Sequence, residues 1–313
     1  MSRRGHQSTE PPCDAAIDAL PIGWERAHAI FGNANPPDRV WQRQFDGFDD
    51  ALKRLASTPQ RQIDTADLWY YFHDLAYQKL QPELFAYLFP VCLMDWHTTL
   101  RKGEACGHGD AEFHHGVWNG RVFDRMLSEP RRERVYAFFH DAFLEHIDSI
   151  SSIDLNAVGW IWRLNSLARI MPRIDSIWNT WWTIETVGRA LAAIEYISAI
   201  IYMPHENPLL SAQDRESSLR VEPCLARHQE RVPDLYCHDS GGMAADAAWL
   251  EENLAFLTNE LTFEYLVERM DRVVARLDQR APFETAARMR DDLIMRREDI
   301  ELRLLDHFRW LAP

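Results

Sequence analysis

Residues 156–203 read NAVGWIWRLNSLARIMPRIDSIWNTWWTIETVGRALAAIEYISAIIYM, and this stretch decides the fold. Apolar residues crowd it at three- and four-residue steps with no in–out alternation, the pattern of helices buried on most of their circumference. Of the chain's twelve tryptophans, Trp160, Trp162, Trp178, Trp181 and Trp182 fall here, and rings of that size bring a large apolar area into a core. Two helices, 156–171 and 174–203, are therefore expected at the centre of the molecule. The most apolar part, Val187 to Met203, contains Arg189 and Glu195 and is shorter than a membrane span requires, so a buried helix explains it better.

The helical period continues on both sides. After an Asn33–Pro37 turn, Trp41, Phe45, Phe48, Leu52 and Leu55 recur as one apolar stripe. Asp64 or Thr65 suits the cap of a helix carrying Leu68, Tyr71, Phe72, Leu75 and Tyr77 inward. Pro82 opens the next helix, which Pro90 should kink or divide. Four glycines between Gly103 and Gly116 predict a loop, with helix resuming over Val117–Leu127 and again from Pro130. Runs of alternating β-branched residues bounded by hairpin turns are nearly absent. The expected fold class is all-α: an irregular multi-helix bundle ending in a C-terminal helical hairpin. Its parts are a flexible tail (1–22), a main helical domain (23–204), a polar linker (205–243) and a helical pair (244–313) packed on the main domain. A dimerisation hairpin, making the chain a homodimer, is the other use of that last stripe.

Composition narrows the function classes. The 313 residues are 46% hydrophobic and 26% charged, which excludes disordered and collagen-like chains. Forty-eight acidic residues against 34 basic ones give a net charge of −14, a surface that repels phosphate backbones, so no nucleic-acid partner is expected. The same field attracts a basic protein. Cys13, Cys92, Cys106, Cys224 and Cys237 are scattered, odd in number and without CxxC spacing, against a disulfide framework. With no secretory signal legible at the N-terminus and no membrane span, a cytoplasmic location is expected.

The densest polar constellation is Cys106-Gly-His-Gly-Asp-Ala-Glu-Phe-His-His115. Imidazole, thiolate and carboxylate groups are the ligands a divalent ion such as Zn needs, and glycines allow a tight wrap. The spacing fits no standard zinc signature, and a loop in which Asp110 caps the next turn is the plainer reading. The metal reading would recruit His108, Asp110, His114, His115, His140 and Asp141. His115, the His140–Asp141 doublet and Asp175 also resemble, in order, the ligands of all-helical metal phosphohydrolases of the HD superfamily. Nucleophile elbows, dinucleotide loops and phosphate loops are absent. Paired carboxylates such as Asp49–Asp50 read as solvated helix faces. Trp69 and Trp182 are the candidate contacts for a protein partner.

Residues 68–96, LWYYFHDLAYQKLQPELFAYLFPVCLMDW, resemble a segment of uncharacterised bacterial helical proteins in which aromatic residues precede a Pro-Glu-x-Phe-x-Tyr-x-x-Pro arrangement. Tyr70, Tyr71, Pro82, Glu83, Phe85, Tyr87 and Pro90 match. The resemblance implies a bacterial origin and a helical body and carries over no catalytic residue. The resulting expectation is an acidic protein-binding protein without a cofactor, of the bacterial immunity type that neutralises a basic toxin domain by occlusion. The alternative is a metal-dependent hydrolase using loop 106–115.

Overall fold

A computed structural model describes residues 17–102, 108–153, 157–203, 205–209, 249–278, 280 and 282–312, with backbone alone at 108–111, 157–159 and 310–311. Among the described residues there are fourteen α-helices and no strand. The first seven are α1 (Trp24–Phe31), α2 (Asp49–Ser57), α3 (Leu68–Tyr77), α4 (Pro82–Arg101), α5 (His108–Asn119), α6 (Val122–Met126) and α7 (Glu129–Ser149). The others are α8 (Ala157–Ile170), α9 (Asp175–Trp181), α10 (Val187–Ile201), α11 (Glu251–Glu260), α12 (Phe263–Arg276), α13 (Phe283–Met295) and α14 (Arg297–Leu311). The all-α expectation holds.

Helix α10 is the axis of the core, buried at every position from Gly188 to Ile201. A helix hidden all round must find partners for its ends inside the protein. At the start, Thr186 Oγ1 accepts the Arg189 N–H at 3.1 Å. The Arg189 guanidinium donates twice to Asp148 at the end of α7, at 2.8 and 3.0 Å. At the other end Arg303 of α14 donates to the Ile200 and Ile201 carbonyls, both at 3.1 Å. Trp178, Trp181 and Trp182 pack against Tyr196 and, for Trp178 and Trp182, against Tyr265. The Trp178 indole N–H reaches the Tyr265 hydroxyl at 3.0 Å.

The helix expected over 174–203 is two, α9 and α10, separated at 182–186 where Ile184 takes a left-handed φ of 57°. That conformation is costly for a β-branched residue and is fixed here by context, with Arg276 Nε donating to the Ile184 carbonyl at 2.9 Å. Thr186, a good N-cap, was the local signal for the restart. Pro90 does not divide α4, which runs unbroken from Pro82 to Arg101. The C-terminal pair resolves into four helices, α11–α14. Buried Asn253 ties them to the main body: its amide donates to the Ala168 and Met171 carbonyls, both at 2.9 Å, and its oxygen accepts Ile174 N–H at 3.0 Å. Of the tail, residues 1–16 lie outside the described residues, as do 210–248, which hold most of the linker and the start of the last domain.

Candidate functional site

Residues 39–48 were expected to begin a helical stripe, but the chain from Arg39 to Phe48 is an irregular strap, and helix starts only at Asp49. Along it Gln42 and Gln44 are buried while Trp41, Arg43 and Phe45 are exposed. This is the period-two pattern of extended backbone with its polarity inverted. The reason is hydrogen bonding, because buried backbone groups need partners and no helix supplies them here. The Gln81 side-chain oxygen accepts the Trp41 N–H at 2.8 Å, and the Gln42 oxygen accepts the Gln81 N–H at 2.9 Å. The Gln44 oxygen accepts the Asp46 and Phe48 N–H groups at 2.7 and 3.0 Å, and its amide donates to the Tyr70 carbonyl at 3.1 Å. Glutamines suit the inside because each amide offers donors and an acceptor on a long side chain.

Asp74 of α3 anchors the strap from below. Its two oxygens accept the Gln42 amide at 2.8 Å and the Phe45 N–H at 2.7 Å. Burial pushes its carboxyl up to about 6, although both hydrogen bonds oppose the shift. Beside it, His73 lies between two carboxylates: Nδ1 is 3.0 Å from Asp46 and Nε2 is 3.1 Å from Glu112 of α5. A doubly protonated ring donates to both; a neutral ring can donate to only one. The His73 hydrogen bond holds the Asp46 carboxyl below its ordinary value. One turn along, the Tyr77 hydroxyl meets His115 Nε2 at 2.8 Å.

These cross-helix pairs exist because α3 and α5 touch backbone to backbone. A Cβ at Gly116 would fall 2.6 Å from the Phe72 carbonyl oxygen, and one at Gly120 would overlap the Leu75 carbonyl. The glycines that suggested a loop therefore serve in part as contact points, and the chain is helical from His108 onward. Over this frame the aromatic side chains form a continuous outer face. Phe45 packs on Tyr77 with ring centroids 4.7 Å apart, Trp69 on His73 at 4.4 Å and Phe48 on Tyr70 at 5.2 Å. Trp41, Phe45, Phe48, Trp69 and Tyr77 are 36–54% exposed, unusual for rings of this size in one place.

Of the two partner-contact candidates, Trp69 is on this face. Trp182 is not: it is 1% exposed, enclosed by Trp178, Trp181, Tyr196 and Tyr265, because both halves of the Trp181–Trp182 pair turn inward at the α9 terminus. The metal candidates are dispersed among separate partners. His114 Nε2 accepts the Trp96 indole N–H at 2.9 Å, so its lone pair is occupied, and burial drives that imidazole well below its ordinary value. His115 is engaged by Tyr77. His140 bonds Asp141 at 2.7 Å, and the other Asp141 oxygen accepts buried Arg26 at 2.7 Å. Burial works to raise the Asp141 carboxyl, but those two bonds outweigh it and hold it below the usual range. Asp175 lies 3.9 Å from Arg173. Among the described residues no three His, Cys, Asp or Glu side chains converge as a metal site. The side chains of Cys106, His108 and Asp110 lie outside the described residues.

A cleft of about 600 Å³ between α5–α8 and α11 sets Arg121, Arg132 and Arg169 against Asp124, Glu133 and Glu252. Its charges cancel, with Arg121 and Arg132 both bound to Asp124 at 3.2 and 3.1 Å. The strap face is distinguished instead by its exposed rings, among which Asp46, Asp49 and Asp50 pair with His73, Arg43 and Lys53. The sequence pointed to Trp69 alone within it; alternation over 41–45 was the available signal for the rest. Compared with protein families, with curated proteins and with solved structures, the chain finds no match in any of the three.

Proposed function

We propose that this chain acts by binding another protein, with the strap and the outer side of α3 as its contact surface and a basic protein as its counterpart. The mode is that of a bacterial immunity-type antagonist that occludes a toxin domain, and it assigns no catalytic step to the chain. The single observation that carries the reading is the inverted strap, with glutamines inside and large rings outside. Exposed apolar area costs roughly 25 cal/mol per Å² relative to burial. A covering partner recovers that area. Aromatic anchors of this kind dominate protein interfaces, and the net charge of −14 speeds the approach of a basic counterpart.

The test is isolation of the protein that co-purifies stoichiometrically with the chain, followed by calorimetric titration of the pair at low and at physiological salt. One-to-one binding that weakens with salt is expected, as is a loss of about a hundredfold in the Phe45→Ala, Trp69→Ala variant. Unchanged affinity in that variant removes the strap face from the interface. Stoichiometric Zn, Mn or Fe in untagged protein would instead favour a metal-dependent hydrolase.

A further inference from the structure

Among the described residues, the large hydrophobic side chains left exposed fall in two places. Five are on the strap face; Ile294, Met295, Leu302 and Leu305 are on α13 and α14. Helix α14 turns Ile300, Leu304 and His307 into the body. At 100° per residue, the opposite side of the helix carries Glu298, Leu302, Leu305 and Arg309. These four recur at steps of four, three and four, all exposed, which is the seam spacing of paired helices.

We propose that this outer seam of α14 is a self-association surface that pairs antiparallel with α14 of a second copy. The charge order along the seam favours this pairing. On the seam itself Glu298 stands in the first turn of α14 and Arg309 in the last; the first turn also holds Asp299 and Arg297, the latter bound to Glu264 and Glu301. Antiparallel pairing about the helix centre sets Leu302 against Leu305 of the second copy and Glu298 against Arg309 of the second copy. A twofold axis repeats each contact. Parallel pairing instead opposes Glu298 to itself. Glu301 and Asp306, which flank the seam, already carry Arg297 and Arg309 as neighbours at 2.8 and 3.2 Å. Fifteen residues give a seam of about 22 Å, at the small end of specific interfaces, so a dissociation constant in the micromolar range is expected. The inference is independent of the strap face and of its partner.

Sedimentation velocity of the full chain across about 1–300 µM tests it. A monomer–dimer equilibrium is expected, abolished in Leu302→Glu, Leu305→Glu. Glu298→Arg and Arg309→Glu should each weaken the dimer by about tenfold, and the double exchange E298R/R309E should recover most of that loss, because the pair is reciprocal. Thermal unfolding of each variant confirms that the monomer stays folded, as expected for exposed positions. A wild type monomeric throughout, a dimer that survives both leucine substitutions, or a double exchange no better than either single one would overturn the proposal.

Discussion

The two exposed faces differ in what lies beneath them. The aromatic face rests on Asp74, an acid that burial pushes up to about 6, and the aliphatic face of α14 rests on His307, a base that burial pushes down to about 3. The same cause, loss of water around a charge, moves the two groups in opposite directions because their neutral forms differ in protonation. Acidification from about pH 6 to about pH 4 should therefore favour the folded strap through Asp74 and disfavour the fold under α14 through His307. Charge patterning differs as well. The strap face pairs its carboxylates locally, Asp46 with His73, Asp49 with Arg43 and Asp50 with Lys53, while the outer seam of α14 has Glu298 at one end and Arg309 at the other.

The largest expected effect sharpens that contrast at α14. A base whose folded value lies below its unfolded 6.5 binds fewer protons when folded, so its contribution to stability is full above 6.5 and declines as pH falls toward about 3. Wild type should lose stability on acidification relative to His307→Gln, by at most about 5 kcal/mol, read from urea midpoints at successive pH values. Equal slopes in the two proteins would remove His307 from the acid response. Next, Gly120→Val drives a side chain into the Leu75 carbonyl and should cost ~3 kcal/mol, with the strap-face rings becoming more mobile in tryptophan fluorescence.

Asp74 supplies the opposing case. Its folded value of about 6 exceeds the ordinary 3.8, so the folded state binds the extra proton. The stability it adds is full below about 4 and is lost as pH rises through about 6. The difference between wild type and Asp74→Asn should show this inverse slope, whatever the buried histidines do to the total. Asp74→Ala strands the Phe45 N–H and the Gln42 amide and should cost about 2 kcal/mol, with faster hydrogen exchange at the Phe45 amide. The smallest effect is at the surface of α14: Leu302→Asn should change monomer stability by less than about 0.5 kcal/mol. A large loss there would mean that the outer seam supports the monomer itself.

Legibility from sequence followed the periodicity. Helix α10 and the tryptophans of α8 and α9 could be read directly, since a stretch apolar on all sides has few alternatives to the core. The strap could not, because Trp41, Phe45 and Phe48 happen to fall at helical steps, and only the Gln42–Gln81 and Gln44–Tyr70 bonds reveal the extended chain. Gly116 looked like a loop residue because a glycine that permits a turn and one that permits close contact are the same letter. The histidines of 108–115 suggested a shared ion; the structure gives His114 and His115 different neighbours on α4 and α3.

Sequence alone settled that the chain is helical, acidic and centred on its tryptophan-rich middle, since helix periodicity and charge are local or additive properties. Tertiary structure decided which aromatic rings remain in water, where α3 and α5 touch, and which carboxylate sits against which imidazole. Those depend on groups far apart in the chain, brought within hydrogen-bond reach only when backbone and side-chain donors had to be satisfied together.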